Sequence, residues 1–150
     1  VAGETVPAGA LPATRALDLA GSAVRLWLVD AALACCAMEV WAAQLRGSLD
    51  TAGWPLARPG SPPAQVLVVS GTLTHRMAPQ VTALYRRLAA PRYVLAYGAC
   101  AATGGPYWDS YAVVPGAGQL VPVDAFVPGC PPRPEDLAAG LATLPRRESS

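Results

Sequence analysis

Two short, uninterrupted apolar runs, VLVVS at 66–70 and YVLAY at 93–97, stand on either side of a stretch with a different rhythm. Between them Val81, Leu84, Tyr85 and Leu88 recur at three and four residues, while Arg86 and Arg87 fall on the opposite side. Continuous apolar runs are the signature of strands buried on both faces, and a spacing of three to four marks an amphipathic helix. The pattern therefore predicts strand, helix over 78–88 with Pro79 in its first turn, and strand, a unit of ordinary crossover length. Pro91 ends the helix.

Upstream, Met38, Trp41 and Leu45 share one helical spacing and predict a helix within Asp30–Arg46, at least after the tandem cysteines. Residues 15–29 alternate too irregularly for an assignment. Downstream, LVPVDAF at 120–126 contains a further strand. Pro134 opens a last helix with Glu135 and Asp136 in its first turn and Leu137, Leu141 and Leu144 on its apolar side. Gly and Pro mark 47–63 as a loop. Residues 101–119 form a connection long enough to suggest a functional role. A mobile arm is expected over 1–14, one domain over 15–145 and a tail over 146–150. The fold class expected is a small α/β sandwich with a mostly parallel sheet.

Composition narrows the setting. The chain has 150 residues, enough for one domain with a real core. Only 14% are charged and 53% are hydrophobic, so large faces are expected against partner subunits or close to a membrane. A net charge of +1 with scattered arginines gives no footprint for nucleic acid. The most apolar stretch, 26–40, is interrupted by Asp30 and Glu39 and does not read as a membrane span. No secretory leader is recognised, which favours the cytoplasmic side and reduced thiols.

Candidate chemistry rests on four cysteines: Cys35, Cys36, Cys100 and Cys130. Cys100 follows a strand and Gly98; Cys130 lies between Pro128-Gly129 and Pro131-Pro132. All four fall at or beyond the carboxyl ends of predicted strands, where parallel sheets place ligands. Rigid turns hold a sulfur in place and present backbone N–H groups to a negative centre. Adjacent side chains diverge, so a pair such as Cys35-Cys36 fits a wide centre better than a single ion. An iron–sulfur cubane is favoured on that ground. Buried apolar cysteines, two disulfides and a structural zinc remain open, although zinc ligands usually come as C-x₂₋₄-C knuckles.

The segments ACCAMEV (34–40), VVSGTLTHRMAP (68–79), GACAATGG (98–105), SYAVVPG (110–116) and VPVDAFVPGCPPRPEDLAAGL (121–141) occur in order. Together they resemble the cluster-bearing B subunit of respiratory complex I, the NADH–quinone oxidoreductase. The tandem cysteines distinguish this pattern from the small subunits of nickel–iron hydrogenases, which use C-x-x-C at that point. The resemblance implies a flavodoxin-like three-layer sandwich. It implies one [4Fe–4S] cluster on Cys35, Cys36, Cys100 and Cys130, the terminal cluster that passes electrons to quinone, the substrate of the assembled enzyme. Met38, Glu39 and Trp41, and Met77, Ala78 and Pro79, are then expected toward the quinone cavity. His75 and Arg76 are expected to tune the cluster.

The implied partners are a large hydrogenase-like subunit, a ferredoxin-like iron–sulfur subunit and membrane subunits. The implied place is the peripheral arm at the cytoplasmic face of the inner membrane. The chain would be a subunit of a translocating oxidoreductase, inactive alone. Two alternatives stand beside this reading: the equivalent subunit of a membrane-bound hydrogenase-like or ferredoxin-dependent complex, and a structural subunit without a working cluster. The sequence departs from the family pattern at His75, where Asn is common, and at GGPYWDSY (104–111), where Pro106, Trp108 and Asp109 are unusual. No Rossmann glycine fingerprint is present, so nicotinamide or flavin chemistry lies elsewhere if it occurs.

Overall fold

In a computed structural model the described residues are 14–18, 24–30, 35–46 and 64–144. Among them five strands form one sheet in the order β1 (Thr14–Asp18), β2 (Val24–Asp30), β3 (Ala64–Ser70), β4 (Arg92–Tyr97) and β5 (Ala125–Val127). β2 to β5 are parallel, and β1 lies antiparallel at the edge beside β2. Four helices accompany them among the described residues: α1 (Cys35–Leu45), α2 (Ala78–Arg87), the short α3 (Ala99–Thr103) and α4 (Pro134–Ala142).

The apolar runs behave as buried parallel strands should. In β3, Val66 and Val68 point to one face and Leu67 and Val69 to the other. In β4, Tyr93, Leu95 and Tyr97 alternate in the same way with Val94 and Ala96. Side chains alternate across a strand, so a strand covered on both faces must be apolar at every position. One face packs against Cys36, Val40 and Ala43 of α1 and Leu137 and Leu141 of α4. The other packs against Val81 and Leu84 of α2. Three layers result, with two separate cores.

The small α/β class with a mostly parallel sheet is as expected. The flavodoxin-like strand order is not what this sheet displays. That order reverses after the first strand, whereas β2 to β5 follow one another without reversal and β1 occupies the edge. The region 15–29, whose pattern predicts neither helix nor strand, supplies most of β1 and nearly all of β2. The expected arm falls on residues outside the described set except Thr14, which opens β1. The tail at 146–150, the loop at 47–63 and the first residues of the Asp30–Arg46 helix, 31–34, also lie outside the described residues.

Helix ends follow local chemistry. α4 begins with Pro134, whose missing N–H needs no partner there. The backbone N–H of Arg133 donates to Asp136 Oδ2 at 2.8 Å, closing its first turn. The Asp124 carboxylate accepts from the Val94 N–H at 2.8 Å, while its own N–H donates to the Val94 carbonyl at 2.9 Å. This pair fixes the entry of β5 beside β4. The Tyr97 hydroxyl donates to the Arg133 carbonyl at 2.7 Å and ties the end of β4 to the start of α4.

α4 approaches the sheet closely at Gly140, where an added Cβ would run into Val127 Cγ2 of β5. An alanine in a helix interior normally gains about 1 kcal/mol over glycine. Here overpacking outweighs that gain, and Gly140→Ala is expected to destabilise the chain by about 1–3 kcal/mol. The double variant Gly140→Ala/Val127→Ala should recover much of the loss in urea unfolding. A stabilised single variant would show that α4 does not sit against β5 as described.

Candidate thiol site beyond the sheet ends

The carboxyl ends of β3, β4 and β5 lie side by side, and the turn after β4 brings Cys100 near Cys35 and Cys36 of α1. Gly98, which follows β4, donates its N–H to the Val127 carbonyl at 2.8 Å. Ala99 donates to the Gly129 carbonyl, also at 2.8 Å. Cys100 sits in the first turn of α3 and is buried. Cys36 is buried in the first turn of α1 at 2% exposure, and its sulfur lies directly over Gly98. That sulfur is hydrogen-bonded to Cys35 and to the backbone of Gly71, which follows β3. Cys35 and Cys130 are exposed, the latter beside a cis Cys130–Pro131 bond.

Electrostatics favour a neutral thiol at Cys36. The Cys36 thiol is pushed up from 9.0 to about 12, chiefly by burial, then by the negative charges that Cys35 and Cys100 would carry. Tyr97 is also pushed up, first by burial and next by the charge of Glu39. The place of Cys100 at a strand end was legible, because it follows the apolar run at 93–97. The Gly71 contact and the Tyr97 tether had no signal in the sequence, since each is made between residues far apart along the chain.

Among the described residues no group of three or more His, Cys, Asp or Glu side chains is placed to hold a metal ion. This overturns the expectation of a [4Fe–4S] cluster on Cys35, Cys36, Cys100 and Cys130, and with it the iron–sulfur and metal-binding character and the electron path through that cluster. The tuning roles of His75 and Arg76 lose their object. The physical reason is placement. The four cysteines are divided between two surroundings: Cys36 and Cys100 are buried, whereas Cys35 and Cys130 are exposed.

The remaining candidates fall on two layers. Met38 and Trp41 are exposed on α1, with Glu39 half-buried between them. The stripe of Met38, Trp41 and Leu45 therefore faces outward, and the core contacts of α1 come from Cys36, Ala37, Val40 and Ala43. Met77 and Ala78 pack against the α2-side core, across the sheet from α1, and Pro79 is exposed. His75 and Arg76 are exposed in the turn before α2. No described helix is long and apolar enough to cross a membrane.

A mostly parallel sheet between two helix layers, with cysteines near its strand ends and an apolar helix face turned outward, defines a class: a small three-layer α/β domain. The family described as NADH ubiquinone oxidoreductase, 20 Kd subunit, matches residues 26–144. The chain belongs to that family, as its motifs led us to expect, and its relatives are components of an enzyme. The B 2 subunit of the NADH-quinone oxidoreductase of Streptomyces griseus is 47% identical over 125 residues, covering 83% of this chain and 53% of that protein. The corresponding B subunit of Heliobacterium modesticaldum is 45% identical, covering 79% of this chain and 69% of that protein. That of Carboxydothermus hydrogenoformans is 47% identical, with coverage of 81% and 74%. The chain thus spans from about half to three quarters of the length of these relatives. Among solved structures, a chain of the membrane-bound sulfane sulfur reductase, an archaeal respiratory membrane complex, is 34% identical. It covers 51% of this chain and 43% of that chain at a TM-score of 0.48, a level that carries no structural argument.

Proposed function

We propose that this chain is a structural, interface-forming subunit of a multisubunit respiratory oxidoreductase and carries no working cluster of its own. One observation carries the reading: a family match across 26–144 in a chain whose described residues assemble no metal-holding group. The outward stripe of Met38, Trp41 and Leu45 supports a role in assembly, because contiguous apolar surface of this kind marks a contact site. The partners in this reading are a large hydrogenase-like subunit, a ferredoxin-like subunit and membrane subunits, in a peripheral arm at the cytoplasmic face of the inner membrane. Met38, Glu39 and Trp41 would then meet the quinone-site neighbour, with Glu39 available to pair with a cation of that neighbour. Met77, Ala78 and Pro79 would contribute from the other layer.

The test compares anaerobically purified assemblies containing the wild-type chain or Cys100→Ser. Iron, acid-labile sulfide and low-temperature electron paramagnetic resonance of the reduced assembly are measured. We expect all three to be unchanged by the substitution. Loss of one cluster's iron together with a [4Fe–4S] signal would show that the chain holds a cluster after all.

A further inference from the structure

Cys36 is buried, and a short segment that follows β5 lies beside it. Gly98 meets both. A Cβ added there would run into the Cys36 sulfur and would stand 3.6 Å from Pro132 Cδ. Pro132 is buried, whereas Cys130, Pro131 and Arg133 around it are exposed. Residues 129–133 thus lay one proline inward near the thiol and turn the rest to solvent. The segment is stiff. Its two successive prolines fix their own φ. Gly129 is folded so tightly onto Pro132 that a Cβ there would stand 2.6 Å from Pro132 Cα.

What ties it down is specific. Pro131 and Pro132 have no N–H to donate. At one end the Ala99 N–H donates to the Gly129 carbonyl at 2.8 Å. At the other the Arg133 N–H donates to Asp136 Oδ2 of α4 at 2.8 Å. The Tyr97 hydroxyl donates to the Arg133 carbonyl at 2.7 Å and lies 3.4 Å from the Pro132 carbonyl. Tyr97 is fully buried in the same core as Cys36, so this hydroxyl reaches the segment from the sheet. A stiff segment pinned at discrete points opens as a unit, and such local opening costs far less than unfolding the domain.

We propose that residues 129–133 form a hinged strap latched by the Tyr97 hydroxyl, and that its opening, with the domain still folded, admits small electrophiles to Cys36. Tyr97 is the positioning residue of this device. The strap is built within this chain alone, so its opening does not depend on the subunit role.

Iodoacetamide labelling of Cys36 in the full chain tests it, read by mass spectrometry at a series of urea concentrations below the unfolding transition. A Cys35→Ser/Cys130→Ser background leaves one reactive thiol on α1 and none on the strap. The sulfur–carbon bond forms as iodide leaves and the thiol proton passes to solvent. Local opening exposes little surface, so the rate at low urea should be nearly independent of urea, whereas global unfolding gives the full slope of the transition. Tyr97→Phe should raise that flat rate about fivefold, the worth of one hydrogen bond. Asp136→Ala, which frees the Arg133 N–H, should raise it as well and decides the matter if Tyr97→Phe does not fold. Val81→Ala, which loosens the opposite core, should raise only the urea-dependent part. A rate with the full unfolding slope at every urea concentration would overturn the proposal. So would a flat rate indifferent to the latch variants, or one raised as much by Val81→Ala.

Discussion

Gly98→Ala is expected to destabilise the fold by about 2–5 kcal/mol, the sum of two independent penalties. Gly98 has φ +96°, outside the range that an L side chain adopts without strain. Its missing Cβ also matters, because an added methyl would run into the sulfur of Cys36, itself buried in the first turn of α1. Neither neighbour can yield easily. The Gly98 N–H is bonded to the Val127 carbonyl at 2.8 Å, and Cys36 belongs to the core that joins α1 to the sheet. Cys36→Ala in the same chain removes the steric penalty and leaves the backbone one, so the double variant should recover part of the loss. Gly118→Ala is the control, since its added Cβ would meet only Val123 Cγ2 at 4.0 Å. Urea unfolding of the four proteins measures the difference. A Gly98→Ala chain as stable as Gly118→Ala would mean that Cys36 does not lie over the end of β4.

Raising the pH above 9 should destabilise the chain through the same sulfur. In the unfolded chain the Cys36 thiol loses its proton near 9.0, whereas in the fold it keeps it until about 12. Between those values the folded state binds more protons than the unfolded state, so unfolding is increasingly favoured as the pH rises. The thiol's stabilising contribution is complete below pH 9 and is lost progressively toward 12. The expected loss is about 1 kcal/mol by pH 10 and about 2–3 kcal/mol by pH 11. Tyr97 adds to the slope above its ordinary 10.0, because burial and the charge of Glu39 hold its hydroxyl protonated in the fold. Stability measured by urea at a series of pH values should therefore fall more steeply in wild type than in Cys36→Ala. Equal slopes in the two proteins would remove the thiol as the cause.

The strands at 66–70 and 93–97 were legible because burial on both faces demands apolar side chains without interruption. The helices at α2 and α4 were legible because one buried face leaves a three-to-four spacing, and Arg86 and Arg87 lie outward as that spacing requires. β1 and β2 were missed because apolar and charged residues mix across 15–29 with no sustained period. α3 was missed for a different reason: five residues are too few to show helical periodicity. The 101–119 stretch, read as a long loop, is held by α3, two 3₁₀ turns and the Thr74–Val113 bridge. The α1 stripe was read correctly as one helical face. Only packing revealed that Cys36, Ala37, Val40 and Ala43 form the inward face, and that the larger Met38, Trp41 and Leu45 are left outside.

Local chemistry alone determined the kind of layer each segment could join, the turns at Gly98 and Pro134, and the family to which the chain belongs. Burial periodicity and turn residues act between neighbours in the chain, so they are written in its order. What the cysteines do was decided elsewhere. Whether a sulfur is neutral or charged, and whether it converges with others or opens to solvent, depends on groups brought together from Gly71, Cys100 and the α1 turn. Desolvation and Coulomb forces act through space, and only the folded arrangement fixes those distances.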